Sequence, residues 1–144
     1  MAIKNIFAET EALKSQIKNL TTDDLTSMEA AVASGEVLLV DLREVQEVVD
    51  LGTISNAKQV PRGMLEFWAS PDSPYYRDYF VADKPIVVFC AGGGRSVYAT
   101  LVLEAMGFSD VGHLEVGFNG WKKAGLPVED VSAKSKWIRR DSTA

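Results

Sequence analysis

Residues 85–107 read Pro85-Ile86-Val87-Val88-Phe89-Cys90-Ala91-Gly92-Gly93-Gly94-Arg95-Ser96-Val97-Tyr98-Ala99-Thr100-Leu101-Val102-Leu103-Glu104-Ala105-Met106-Gly107. The first five are a short, apolar, β-branched run, the pattern of a buried strand. Residues 96–106 read as a helix stopped by Gly107. A strand that feeds a helix through a glycine-rich bend is the repeating unit of an α/β fold. The chain's one cysteine, Cys90, falls where the strand ends.

The bend suits a particular chemistry. Three consecutive glycines let a backbone turn tightly and approach an anion closely. The amides of a first helical turn have no partner inside the helix, so they can point into the bend. Their partial positive charge, with Arg95 beside it, favours a thiolate over a thiol at Cys90. A cysteine at the end of a buried strand can also be no more than a small hydrophobe. Three glycines in a row are costly to order, however, and an arginine at a helix start opposes the macrodipole unless it faces an anion. The stretch therefore reads as a nucleophilic sulfur in an anion cradle.

Outward from this bend, strands alternate with helical patterns. Val37-Leu38-Leu39-Val40 is apolar throughout, as expected of a strand covered on both faces, and it ends in Asp41-Leu42-Arg43-Glu44. Polar residues at such a strand tip either belong to a site or, as Asp41 could, cap the following helix over residues 45–51. Residues 58–60 and 111–114 read as two further short strands. The spacing of Ile3, Ile6, Phe7, Leu13, Ile17 and Leu20 predicts one helical stripe over residues 2–20, packed on the domain edge or forming a dimer contact. Thr21 or Thr22 caps a second helix that ends at Gly35. Residues 63–74 read as an irregular loop with one helical turn; its Phe67 and Trp68 either line a pocket or pin the loop to the core. Residues 117–125 read as a brief helix. His113, in or beside a strand, reads as a hydrogen-bonded structural residue. The pattern predicts an α/β fold with a mainly parallel sheet: a helical extension at 1–19, one domain at 20–130 and a tail at 131–144.

Composition bounds the partners. With 144 residues the chain fits one domain with a real core, and 47% hydrophobic against 24% charged residues is a globular composition. A net charge of -5 argues against general binding of nucleic acid or of an anionic membrane. One cysteine excludes an internal disulfide and a multi-cysteine zinc site, so neither metal nor cofactor is expected. No apolar run approaches membrane-spanning length, and no secretory leader is legible, which makes a cytoplasmic protein the default expectation.

These motifs, taken in order, resemble the rhodanese family over roughly residues 20–128. Residues 37–44 resemble its strand ending in Asp-x-Arg-Glu, and residues 52–57 its Gly-His-Ile-Pro-Gly-Ala segment. Cys90 to Ser96 matches Cys-x-x-Gly-x-Arg-Ser. Met106-Gly107-Phe108, Gly117, Trp121 and Ala124-Gly125-Leu126-Pro127-Val128 match the family's closing stretch. The resemblance implies a five-stranded, mainly parallel sheet flanked by helices on both faces, with the cysteine loop after the fourth strand. It also implies a sulfurtransferase. A donor such as thiosulfate, or another persulfide or thiol-derived donor, protein donors included, would pass a sulfur to Cys90. Cyanide or a thiol would then take it from the Cys90 persulfide.

In that reading Cys90 is the nucleophile and the backbone of Ala91, Gly92, Gly93, Gly94, Arg95 and Ser96 cradles the charge. Arg95 supplies charge or holds the loop by pairing with Asp41, while Ser96 donates its hydroxyl or caps the helix. A rhodanese-fold binding or sulfur-sensing module is the alternative. A phosphatase or arsenate reductase is a further one; the resemblance extends to relatives with those activities, but they have a Cys-x5-Arg loop, and here four residues separate Cys90 from Arg95. Thr53, Ser55 and Asn56 stand in a turn where the family has other residues, with little effect expected on the chemistry. Arg95 is the loop's one cation, so thiosulfate is expected to be a poor donor unless Arg43 or Arg62 faces the pocket. A monomer and a homodimer are both compatible with the sequence.

Overall fold

The computed structural model describes residues 2–140. Five strands, β1 (Lys18–Leu20), β2 (Leu38–Asp41), β3 (Lys58–Gln59), β4 (Ile86–Phe89) and β5 (Val111–Leu114), form one sheet in the order β1-β5-β4-β2-β3. All neighbouring pairs are parallel. The helices are α1 (Ile6–Leu13), α2 (Thr22–Ser27), α3 (Glu29–Ser34), α4 (Val45–Leu51), α5 (Leu65–Ala69), α6 (Gly94–Met106) and α7 (Gly117–Lys123). Among the described residues no helix is long and apolar enough to cross a membrane.

The sheet is buried on both faces because its central strands are apolar at every position. Side chains alternate sides, so Leu38, Val40, Ile86, Val88 and Val111 join Leu65, Ala99 and Leu103 in one core. Leu39, Val87, Phe89 and Leu114 join Leu25, Val32, Phe118 and Trp121 in the other. The same alternation carries Cys90 into the first core, on the α6 side.

Local signals explain the helix ends. Thr21 and Asp24 form a reciprocal capping box at α2. Gly35 and Gly107 end α3 and α6 in the left-handed conformation. The segment 22–35, expected as one helix, is broken at Met28 into α2 and α3. The turn in residues 63–74 is α5.

The larger departure lies at the start of the chain. The helix expected over residues 2–20 stops at Leu13 and is followed by a 3-10 turn, Lys14–Gln16, and by β1. The edge strand was hidden because a three-residue strand has no period of its own. The apolar stripe does not hold either. Thr10 is the buried residue of α1, while Ile6 and Phe7 are exposed. The helix is instead seated on α6, where the Tyr98 hydroxyl donates to Glu9 at 2.5 Å and Lys4 pairs with Glu9 at 2.8 Å.

At the tip of β2, Asp41 and Arg43 are both fully buried and pair with each other. Asp41 accepts from the Arg43 main-chain N–H, Nε and Nη2, and from the Thr53 hydroxyl at 2.7 Å. Arg43 also donates to the Gly52 carbonyl at 2.7 Å, and its guanidinium lies 4.0 Å from the centre of the Phe118 ring. Asp41 therefore does not cap α4. That end is closed by the Glu47 carboxylate, which accepts from the Glu44 main-chain N–H at 2.8 Å.

Candidate active site

The loop after β4 is held from behind by α7. The first amides of a helix lack internal partners, and here those of Phe118 and Asn119 donate to the carbonyls of Cys90 and Ala91 at 2.8 and 2.9 Å. Gly117 permits the close approach: a Cβ there would lie 2.4 Å from the Ala91 oxygen. Gly93 then turns the chain into α6 with φ +99°, and a Cβ on it would lie 2.3 Å from the Glu115 oxygen. Beside Gly92 and Gly94 a Cβ would meet nothing within 4 Å, so these two leave open space over the loop.

Cys90 lies at the floor of a cleft of about 560 Å³ walled by the loop, Arg95, Tyr98 and α1. Cys90 is 1% exposed, and the Gly93 N–H donates to its sulfur at 3.2 Å. The sequence suggested several loop amides around the sulfur; among the described residues Gly93 supplies the one in contact. Ser96 does not cap α6, whose N-cap is Gly93. Its hydroxyl is buried behind the sulfur, 3.7 Å from Sγ and 2.7 Å from Nδ1 of His113. His113 is fully buried and hydrogen-bonded through both ring nitrogens, to Ser96 and to Asn19.

Of the two roles expected for Arg95, the pairing with Asp41 is not formed. Arg95 forms a two-pronged ion pair with Glu47 on α4, at 2.9 and 3.0 Å, and Asp41 is taken by Arg43. Glu47, and to a lesser degree the Cys90 sulfur, holds the guanidinium above its ordinary pKa against the effect of burial. The Arg95 hydrogen bond in turn lowers the Glu47 carboxyl below its ordinary 4.5, with burial opposing. Neither Arg43 nor Arg62 faces the cleft: Arg43 is buried, and Arg62 pairs with Glu66 at 2.7 Å. Phe67 and Trp68 also lie away from it, Phe67 exposed and Trp68 packed against the core under Arg77. Sequence reasoning missed the walls supplied by Ile6, Phe7, Glu11 and Lys14 of the N-terminal segment. The sequence puts the apolar Ile6 and Phe7 in a packed stripe, and only their exposure in the fold marks them as cleft walls.

The Glu47–Arg95 pair makes a pH prediction. A carboxyl with a lowered folded pKa contributes stability above its unfolded pKa and loses it as pH falls through the folded one. Glu47→Gln is expected to cost ~0.5–1 kcal/mol near neutrality, after allowance for solvent screening of a half-exposed pair. That gap to wild type should close on acidification below 4.5, the ordinary Glu value from which the folded pKa is lowered. Melting curves at several pH values check it, and a gap that widened in acid would contradict the pairing.

A parallel sheet with a cysteine loop at the carboxyl end of β4, closed by a glycine in the left-handed region, defines a class of α/β proteins that present a cysteine sulfur at a helix start. Comparison makes the class definite. The profile of the rhodanese-like domain matches residues 24–124, and the chain belongs to that family. It is 31% identical over 106 residues to a sulfurtransferase of Allochromatium vinosum, covering 73% of this chain and 91% of the relative. It is 28% identical over 107 residues to the thiosulfate sulfurtransferase GlpE of Vibrio cholerae, covering 74% and 92%. A solved structure from Rhodopseudomonas palustris, described as a protein of unknown function and possible tyrosine phosphatase, superposes with a TM-score of 0.81 at 40% identity. That match covers 90% of this chain and 97% of the other. The family likeness supports an enzyme of the sulfurtransferase kind.

Proposed function

We propose that the protein transfers sulfane sulfur through a persulfide on Cys90. The observation that carries this is the Cys90 sulfur at the floor of an open cleft with the Gly93 N–H directed at it. In the first half-reaction the thiolate attacks the outer sulfur of a donor. A sulfur–sulfur bond forms on Cys90, the donor's own bond breaks, and its electron pair leaves with sulfite or a thiolate. The outer sulfur then occupies the space over Gly92 and Gly94. In the second half-reaction a thiol or cyanide takes that sulfur, and the Cys90 thiolate is restored.

The donor is an organic or protein persulfide, with thiosulfate a poor substitute. Both cations at the cleft are already paired: Arg95 with Glu47, and Lys14 with Glu11 at 3.1 Å. A small dianion finds little uncompensated charge there. The exposed Ile6 and Phe7 suit an acceptor or donor with an apolar body. A phosphatase reading is weaker, since the loop is one residue shorter than Cys-x5-Arg and Arg95 is tied to Glu47.

Intact mass after incubation with persulfide donors tests the proposal. The native protein should gain one sulfur atom and Cys90→Ser should not, and transfer should fall at least about a thousand-fold in that variant. Absence of any adduct across thiosulfate, polysulfide and thiol persulfides would count against transfer and for a binding role. Cys90-dependent turnover of an aryl phosphate would favour the phosphatase.

A further inference from the structure

Behind Cys90 a line of polar side chains runs away from the cleft along the α6 face of the sheet, toward its β1 edge. Cys90 Sγ lies 3.7 Å from Ser96 Oγ, Ser96 Oγ lies 2.7 Å from His113 Nδ1, and His113 Nε2 lies 2.7 Å from Asn19 Oδ1. The hydrogen-bond directions follow from the far end. The Asn19 amide nitrogen donates to the carbonyls of Lys14 and Ile17 at 2.8 and 3.2 Å. Carbonyls only accept, so Asn19 must turn its own oxygen toward His113. An oxygen acceptor there puts the imidazole proton on Nε2 and leaves Nδ1 as a bare lone pair. The Ser96 hydroxyl then donates to Nδ1, and its oxygen faces Sγ as an acceptor. While His113 is neutral, Ser96 can receive the thiol proton but cannot donate to a thiolate.

We propose that His113, oriented by Asn19 and reaching the sulfur through Ser96, accepts the Cys90 proton as the thiolate forms. The S–H proton passes to Ser96 Oγ while the Ser96 hydroxyl proton passes to Nδ1. An S–H and an O–H bond break, an O–H and an N–H bond form, and nothing is oxidised or reduced. The resulting thiolate accepts from the Gly93 N–H and from the re-formed Ser96 hydroxyl. The imidazolium has both N–H groups satisfied, one by Ser96 and one by Asn19. His113 and Asn19 never touch substrate; they are positioning residues that act through Ser96.

The surroundings set when the proton moves. The charge of Lys14, in the 3-10 turn after α1, is felt at His113, while Lys14 itself pairs with Glu11 and Glu115 at 3.1 and 4.0 Å. On β1, Lys18 is held by Asp110, and at the head of α6, Arg95 is held by Glu47. Burial first, and Lys14 second, push the imidazole down to about 4. His113 is therefore neutral in the resting protein and protonates when negative charge develops on sulfur. Two such groups share one proton as a pair, and its position between them does not depend on bulk pH.

That independence gives the test. It rests on Cys90 reacting as a thiolate, as the sulfur-transfer reading requires, but it uses the resting protein and no donor, so either can fail without the other. The rate of Cys90 alkylation by iodoacetamide is measured from acid to alkaline pH. The wild type should show a pH-independent plateau below the thiol's own titration, extending down to about 4, where solvent protonates His113. His113→Gln should lose the plateau and fall about tenfold per pH unit, because only bulk-ionised thiolate then reacts. A wild-type rate that itself falls tenfold per unit with no plateau overturns the proposal. If the variant does not fold, the untagged native chain still decides. His113 is its one histidine, so nitrogen NMR reads a single imidazole. The Nε2–H tautomer supports the relay, and the Nδ1–H tautomer refutes it.

Discussion

Gly93→Val is expected to abolish sulfur transfer and to lower the melting temperature by about 10 °C, from a cost of ~3 kcal/mol or more. Two independent terms add. The φ of +99° lies where a β-branched residue is strained, and the new Cβ would sit 2.3 Å from the main-chain oxygen of Glu115. That oxygen belongs to the turn between β5 and α7, so it cannot swing aside like a side chain. Relief requires moving either Gly93 off the sulfur, which removes its N–H from Cys90, or the head of α7, which releases the Cys90 and Ala91 carbonyls. Gly92→Ala is the control. Its Cβ meets nothing within 4 Å and its φ is not left-handed, so melting should stay within about 1 kcal/mol of wild type. Thermal melting of both variants, with intact mass after persulfide treatment, separates the cases. Full transfer by Gly93→Val would show that the loop is not held as described.

The contrast between these glycines marks where sequence reasoning stops. The triplet announces a bend beside Cys90, and the apolar runs on either side announce a parallel sheet, because each signal is local. Which glycine is indispensable depends on Glu115, twenty-two residues away in the chain, and no local pattern records that contact. The partner of Arg95 was hidden for the same reason. Asp41 and Glu47 both lie near the β2 tip, and only packing shows that Arg43 has already taken the former. Asn19 and His113 are unremarkable polar residues in sequence, ninety-four positions apart; the pairing of β1 with β5 makes them neighbours. Thr53 stands in the same position. A turn substitution with no evident chemistry supplies a buried hydroxyl to Asp41.

Asp41→Ala should cost about 3–5 kcal/mol, the largest stability loss expected from one substitution outside the two cores. The alanine removes four hydrogen bonds from the carboxylate's donors, Arg43 and Thr53, and strands a guanidinium that has no access to water. Arg43 cannot lose its charge in response, so it must drag water inward or leave its place. Leaving would uncover Phe118, whose ring it covers at 4.0 Å and whose N–H holds the Cys90 carbonyl. The damage should therefore reach the loop, and the surviving folded protein should take up sulfur more slowly than wild type. Replacing both partners, as Asp41→Leu with Arg43→Met, should recover much of the lost stability, because a buried pair's worth lies mainly in not leaving one charge alone. Chemical denaturation of the single and double variants measures this. A single variant less than about 1 kcal/mol below wild type, or a double variant worse than the single, would mean that the Asp41–Arg43 pair does not brace the tip of β2 against α7.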